Sequence, residues 1–300
     1  MVNEFVCNLC ARNCSAYRTP SHGDGVCGCG TTAYVSRAAA HFGEEPCISG
    51  KRGSGTVFFS GCPLRCVFCQ NSQISRSPFY GREFDAKGLR QLFDKLAAQG
   101  VHNINLVSPT QYSAVIEEAL KEPLTVPVVW NSNGYEKLET LRTLNGKVQI
   151  YLPDMKYSDD ALGARLSGVD DYFNTAKAAI DEMITQTGPC AFDENGMLIS
   201  GVIVRHLVLP GHLDNSRGVI DWFAHECAPR GAYFSLMTQY TPMNDLSKFE
   251  DINRTLSRRE CTKIEDYLYY SGIINGFVQD RESATCELLP SFDFTGIEGL

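Results

Sequence analysis

From about residue 55 onward, short apolar runs alternate with stretches of helical period. Thr56-Val57-Phe58-Phe59, Ile104-Asn105-Leu106-Val107, Val126 to Trp130, Val148 to Leu152, Val202 through Leu209 and Tyr233 to Met237 read as six strands. Between them the apolar positions repeat every three to four residues. The clearest case is Val169, Tyr172, Phe173, Ala176, Ile180, Met183 and Ile184, with Gly188 where a helix would end. Leu89, Leu92, Phe93 and Leu96 repeat the pattern between Asp85 as N-cap and Gly100, and Tyr112, Val115, Ile116, Ala119 and Leu120 repeat it again. Asn195-Gly196 predicts a small hairpin before the fifth strand. Six strand-then-helix units predict a parallel, right-handed α/β assembly, either an open partial barrel or a doubly wound sheet.

The ends of the chain read differently. Residues 1–50 are rich in Gly and Cys without a sustained period, as in a small loop-rich lobe held by metal. The expected division is that lobe at 1–50, the α/β unit at 51–245, and a C-terminal extension at 246–300 with a helix near 258–271.

With 300 residues, 43% of them hydrophobic and 21% charged, the chain can bury a large core, which excludes disorder and disulfide-stapled miniproteins. A net charge of −8 has the wrong sign for neutralising phosphates, so neither nucleic acid nor an anionic membrane is an expected partner. The first residues lack a basic segment followed by an apolar one, and no apolar run approaches the ~18 residues of a spanning helix. A soluble cytoplasmic protein is expected.

Cysteine changes the picture. Of 13, nine (Cys7, Cys10, Cys14, Cys27, Cys29, Cys47, Cys62, Cys66 and Cys69) precede residue 70, a density that points to metal ligation more than to disulfides in a chain without a leader. Cys190, Cys227, Cys261 and Cys286 are scattered and read as ordinary thiols. Cys62, Cys66 and Cys69 follow the first strand directly in Gly61-Cys62-Pro63-Leu64-Arg65-Cys66-Val67-Phe68-Cys69. Three thiolates at that spacing can wrap one face of an iron–sulfur cube. No fourth Cys or His lies nearby, so one iron stays open to substrate or cosubstrate. A zinc knuckle would want that fourth ligand, and a ferredoxin run has four thiolates at a different spacing. At the N-terminus, Cys7, Cys10, Cys14 and Cys27 make the best four-ligand set, leaving Cys29 and Cys47 spare, with Zn²⁺ and an iron–sulfur centre equally suited. Such a centre is either a structural staple or an auxiliary cluster that relays electrons or anchors substrate. His22 and His41 are read as ordinary histidines.

The C-terminal ends of the strands, where a barrel places its site, carry polar groups. They are Ser108-Pro109-Thr110, Asn131-Ser132-Asn133-Gly134, Asp154-Met155-Lys156, Arg205-His206 leading to Gly211-His212, and Thr238-Gln239-Tyr240. His206 and His212 count there as proton-donor candidates.

Cys-x3-Cys-x2-Cys after a first strand, with the aromatic Phe68 before the last Cys, resembles the radical S-adenosylmethionine (SAM) superfamily, whose fold is a partial (β/α)6, TIM-like barrel. The resemblance covers roughly residues 55–245. It is strongest to the activating enzymes of glycyl-radical enzymes, such as pyruvate formate-lyase activase, and among those to the PflX-type branch with its Cys-rich N-terminus. It implies a [4Fe–4S] cluster on Cys62, Cys66 and Cys69, with SAM on the fourth iron. Cleavage by an electron from a flavodoxin- or ferredoxin-type donor would give methionine and a 5′-deoxyadenosyl radical that abstracts hydrogen. Asn131 to Gly134, Asp154 with Lys156, and Arg205 through Gly211 match activase motifs, which implies SAM contacts at Asn131, Asp154, Lys156 and Arg205, with Ser108 and Phe68 added. Lys156 and Arg205 suit a carboxylate, and Asp154 or Asn131 an amine or ribose hydroxyls.

Two departures stand out. Ser108-Pro109-Thr110 replaces the activases' Gly-Gly-Glu, and Asn131 replaces the first acid of Asp-Thr-Asn-Gly, the region that with the Asp-Leu-Lys acid helps hold a monovalent cation in related activases. They favour a second expectation, the same chemistry on a small molecule or peptide. A third, from another class, is a non-catalytic metal or electron-transfer protein.

Overall fold

The computed structural model describes residues 5–279 and 290–298; Cys286 lies outside them. Chain entry forms a small antiparallel sheet of β1 (Phe5–Val6), β2 (Tyr17–Thr19) and β3 (His22–Gly23), followed by β4 (Ala33–His41) and the single turn α1 (Pro46–Ser49). Next come β5 (Ser54–Phe59), α2 (Ser72–Ser75), β6 (Arg82–Phe84), α3 (Ala86–Ala98), β7 (Ile104–Val107), α4 (Ser113–Ala119), β8 (Val128–Ser132), α5 (Leu138–Thr143) and β9 (Ile150–Pro153). The remainder is α6 (Asp160–Ser167), α7 (Tyr172–Thr187), β10 (Ala191–Phe192), β11 (Leu198–Leu207), α8 (Leu213–Glu226), β12 (Tyr233–Met237), α9 (Arg258–Tyr270) and β13 (Gly276–Gln279).

All six expected strands form, and they lie parallel in chain order: β5, β7, β8, β9, β11, β12. A doubly wound sheet reverses its order at a switch point; this sheet never does, so of the two architectures left open by the sequence it is the singly wound partial barrel. β13 extends it in parallel at one edge, while β4 and β6 extend it antiparallel at the other. Among the described residues no pairing joins β6 to β13, so the barrel is open. The expected caps hold: Asp85 accepts from Gly88 N (2.8 Å), and Gly188 and Gly196 adopt positive φ. No described helix is long and apolar enough to cross a membrane.

The outer face of the sheet packs on the helices through Val57, Phe59, Leu106, Trp130, Tyr151 and Val204, all fully buried. The inner face is layered. At its base α1 inserts Cys47 and Ile48 against Val129, Ile150, Leu152 and Ile203, plugging the interior from below. Above them the register sets Asn131 beside Val107 and Leu152, and Asp154 beside Arg205.

Residues 33–41 were expected in a segment without period, yet form a nine-residue strand hydrogen-bonded to β5. The C-terminal extension, whose role the sequence did not disclose, packs against that strand. Ala38 N donates to Thr295 O (3.0 Å), Arg37 pairs with Asp293, and Phe292 lies edge-on to Phe58.

Candidate active site at the open end of the barrel

A cavity of about 280 Å³ opens at the C-terminal ends of the parallel strands. Cys62, Cys66, Phe68, Cys69, Ser108, Asn131, Asp154, Lys156 and Arg205 all line it, so the fold brings the nine expected residues together from five separate strand ends.

The cysteine loop leaves β5 through Gly61, whose φ is +76°; a Cβ there would stand 2.2 Å from Cys29 Sγ, so only glycine fits. Its backbone is held from several directions. Asn244 Nδ2 donates to Val67 O (3.0 Å) and Cys69 O (2.9 Å), Val67 N to Leu166 O (2.9 Å), and Arg76 to Val67 O (3.1 Å). Each sulfur also meets a side-chain donor. Asn133 Nδ2 stands 3.6 Å from Cys62 Sγ, Ser167 Oγ 3.0 Å from Cys66 Sγ, and the otherwise unpartnered Ser75 hydroxyl lies beside Cys69. Burial pushes the Cys66 thiol up to about 12, against the pull of Lys156, and raises Cys69 as well. These thiols therefore ionise only against a stronger positive partner than the protein itself supplies, which a metal centre provides.

Opposite them lies a buried charge network. Arg205 donates from Nε to Asp154 (3.0 Å), from Nη1 to Glu44 (3.0 Å) and from Nη2 to Asn131 Oδ1 (2.5 Å), while Lys156 Nζ donates to the other Asp154 oxygen (2.6 Å). Burial opposes the charge on Asp154, but the cations of Lys156 and Arg205 outweigh it and hold the carboxyl below the usual range. Lys156, desolvated in turn, is raised by Asp154 and the cysteine thiols. Gly134, φ +75°, lets its chain pass against Asp154 O, where a Cβ would stand at 2.3 Å. The Tyr172 hydroxyl accepts from Lys156 N (2.9 Å) and faces the Asn133 and Asp154 carbonyl oxygens, fixing the two strand ends together.

Ser108 adopts φ +54°, a left-handed conformation costly for a residue with a Cβ, held by its N–H on Asn131 O and by Gln111 Nε2 on its carbonyl (2.7 Å). Thr110 turns away from the cavity and donates to buried Glu136 (2.7 Å).

The sequence reading missed several residues here. Glu44 sits beneath the network and accepts from Asn105, Asn131 and Arg205. Next to it Glu45 is 1% exposed, and burial raises its pKa against the pull of Arg205 and the neighbouring Ser235 hydroxyl. Gly43-Glu44-Glu45-Pro46 looks like an acidic surface turn, and only β4 carries it into the barrel. His41, read as ordinary, lines the cavity from the end of β4, and Gln279 lines the far wall beside Gln239, which is among the expected strand-end residues. His206 is corrected: it points to the outer side, fully buried between Met155 O and Ser216, and burial lowers it to about 4, which leaves it a neutral core residue. His212 contacts Asp251 (2.6 Å) and does not line the cavity.

Cys7, Cys10, Cys14 and Cys27 border a separate void of about 10 Å³ together with Cys29. Among the described residues no three ligating side chains enclose a single ion, in either cysteine set. Cys7, Cys10 and Cys29 are buried, and Cys14 is exposed.

An uncharacterised protein of Methanocaldococcus jannaschii is 32% identical over 269 residues, 86% of this chain and 72% of that one. Among solved structures, SuiB of Streptococcus suis bound to S-adenosylmethionine superposes with a TM-score of 0.51 at 16% identity, over 77% of this chain, which spans 52% of its length. A domain of a pyruvate formate-lyase-activating enzyme from Bacteroides vulgatus reaches 0.37 at 12% identity over 65% of this chain and 91% of that one, too distant to bear on activity. The sequence profile of the radical SAM superfamily matches residues 56–218, a span running from the first barrel strand, through the cysteine loop, past Arg205. Since that match takes in more than half the chain and every strand end from Cys62 to Arg205, the protein belongs to the radical SAM superfamily.

Proposed function

We propose that this protein cleaves S-adenosylmethionine reductively and abstracts hydrogen from a glycine of a protein partner, in the manner of a glycyl-radical activase. The observation that carries the reading is the common cavity: three cysteine thiols on one wall face Asn131, Asp154, Lys156 and Arg205 on the other. Membership of the superfamily implies a [4Fe–4S] cluster and SAM, and the residues fit both. The cluster, when bound, supplies the electron that breaks the sulfonium carbon–sulfur bond and yields the hydrogen-abstracting 5′-deoxyadenosyl group.

The protein's part is binding and orientation. Cys62, Cys66 and Cys69 hold the cluster, with Asn133, Ser167 and Ser75 directing donors at their sulfurs. Lys156, with ammonium hydrogens left beyond its bond to Asp154, binds the methionine carboxylate. Asn131 and Asp154 bind amine or hydroxyl groups, and Arg205, whose three nitrogens are already engaged, orients both. Phe68, buried edge-on to Tyr240, and Ser108 close the cosubstrate's side of the cavity. Beyond them the wall carries the carboxamides of Gln70, Asn71, Gln239 and Gln279, groups that match peptide N–H and C=O in both directions and so favour a polypeptide substrate. Cys7, Cys10, Cys14 and Cys27 serve a second metal centre, and a flavodoxin- or ferredoxin-type protein delivers the electron.

The second reading keeps the chemistry on a free peptide or small molecule. Thr110 turned toward Glu136 and Pro109 without an N–H leave no counterpart to the activases' Gly-Gly-Glu, which favours it. Anaerobic reconstitution, dithionite reduction and quantification of 5′-deoxyadenosine test the reaction; a fully loaded chain that forms none contradicts it. Electron paramagnetic spectra of mixtures with glycyl-radical partners test the substrate, a doublet on the partner supporting the first reading and its absence the second.

A further inference from the structure

One carboxylate of the ion network comes from outside the six parallel strands. β4 ends at His41, and the turn after it is pinned by α1: Glu44 N donates to Ser49 Oγ (3.1 Å), while Ile48 N (2.8 Å) and Ser49 N (3.0 Å) donate to Glu45 O. The Glu44 side chain, 11% exposed, therefore reaches the cavity from a fixed backbone. Three strands meet it there. Asn105 on β7 and Asn131 on β8 each donate from Nδ2 to its Oε1 (3.1 Å), and Arg205 on β11 donates from Nη1 to its Oε2 (3.0 Å). Asn105 is fully buried in a strand whose other residues are apolar, a position that a carboxamide holds only with a polar partner.

Asn131 is used from both ends. Its Nδ2 donates to Glu44 and its Oδ1 accepts from Arg205 Nη2 (2.5 Å), so Glu44, Asn131 and Arg205 close a ring of three hydrogen bonds. The ring fixes which way the Asn131 carboxamide faces. Its polarity has no slack: Glu44→Gln would set an NH2 group against either Arg205 or the two asparagine amides, and Asn131→Asp would set carboxylate against carboxylate. Burial opposes the charge on Arg205, and Asp154, Glu44 and Glu45 outweigh it.

We infer that Glu44 is a positioning residue of the cosubstrate site: it supplies from β4 the carboxylate that β8 lacks at Asn131, and through the Asn131 carboxamide and the Arg205 guanidinium it sets the polar wall that binds SAM. The inference rests on the reading of Asn131 and Arg205 as the SAM side of the cavity, and it deepens that reading by adding a residue that acts through them.

An isosteric exchange is the test. Each of Glu44→Gln and Asn131→Asp alone should weaken SAM binding roughly tenfold or more in anaerobic calorimetry on the iron-loaded, oxidised full chain. In the double variant the acid and the amide change places. The amide at position 44 then donates to the acid at position 131 and to Asn105 Oδ1, which has no partner among the described residues, while Arg205 keeps an acceptor at each position. Affinity should return to within roughly threefold of wild type, a recovery that loss of a merely structural side chain would not give. All four chains should hold about four irons, since the side-chain bonds of Glu44 go to the network and not to the cysteine loop. A double variant that binds no better than the weaker single, Glu44→Gln with wild-type affinity, or iron loss in Glu44→Gln would each overturn the inference. If a single variant fails to fold, the double decides; a double that also fails to fold contradicts the ring, because its net charge is that of the wild type. A wild-type, iron-loaded chain that takes up no SAM sinks the proposed function instead, and the ring is then read from urea midpoints, in which the double should regain what each single loses.

Discussion

The two cysteine-rich regions are built from the same residue and differ in what surrounds it. Cys62, Cys66 and Cys69 stand at the rim of a 280 Å³ cavity, opposite an ion network, with one face of any group they hold left open. The N-terminal cysteines enclose about 10 Å³ around a buried arginine, with no room for a substrate. The contrast teaches that access, more than residue identity, separates a cysteine set that can meet a substrate from one that is packed into the fold. The N-terminal lobe also supports the open loop: Arg12 donates to Pro63 O and Leu64 O, and Gln111, whose carbonyl accepts from Arg18, donates to Gly61 O.

The largest effect expected from breaking this contrast is that of Cys66→Ala. 5′-Deoxyadenosine formation should fall below detection while circular dichroism and the N-terminal lobe stay intact; residual activity near wild type would place the chemistry elsewhere. Next comes Asp154→Ala, which strands Lys156 and Arg205 without a carboxylate above Glu44. Removing one partner from such a buried pair should cost about 3–5 kcal/mol in denaturant unfolding and abolish SAM binding by calorimetry. A loss under about 1 kcal/mol would show the network to be solvated, as at a surface.

A smaller change sharpens the comparison without disturbing either region's fold. Ser167→Ala removes the donor on Cys66 Sγ, and because that bond favours the more negative reduced cluster, its loss should lower the midpoint potential on the order of 50 mV, from a charged hydrogen bond of about 1.5 kcal/mol. A redox titration followed by electron paramagnetic resonance reads this shift. A further expected effect lies outside both regions and shows only in acid. His206 has its pKa lowered to about 4 by burial, so the unfolded chain takes up a proton first as pH falls. Its stability contribution is complete above about pH 6.5 and declines from there toward pH 4, by up to about 3 kcal/mol. In His206→Gln that part of the acid destabilisation should be absent from urea midpoints measured across the same range.

The parallel strands were legible because each is a largely buried, mostly apolar run, such as Ile104 to Val107, bounded by helical period. β4 was not. Ala33, Ala38, Ala39 and Ala40 give no strand-like bulk, and the strand forms through backbone pairing with β5 and through the C-terminal tail, whose Gly296 lies against Ala38 O. Missing β4 hid what it carries: His41 at the cavity, and Glu44 and Glu45 beneath it. The nine cavity residues were accessible because a barrel concentrates function at strand ends, and motif spacing marked each end in turn. Ser167 and Gln111 escaped, since they matter only through contacts between residues as many as 101 positions apart in the chain, and of Asn133 the strand-end position was legible but not its contact with Cys62 Sγ.

The central claim is that three protein sulfurs leave one corner of the cluster free for SAM. Pulsed electron paramagnetic resonance on the reduced, iron-loaded chain with SAM labelled with ¹⁵N at its amino group tests it most directly. The account predicts a nuclear coupling between the label and the cluster that vanishes in Cys66→Ala; a spectrum unaltered by SAM, with a fourth protein side chain coupled to the iron, would contradict it.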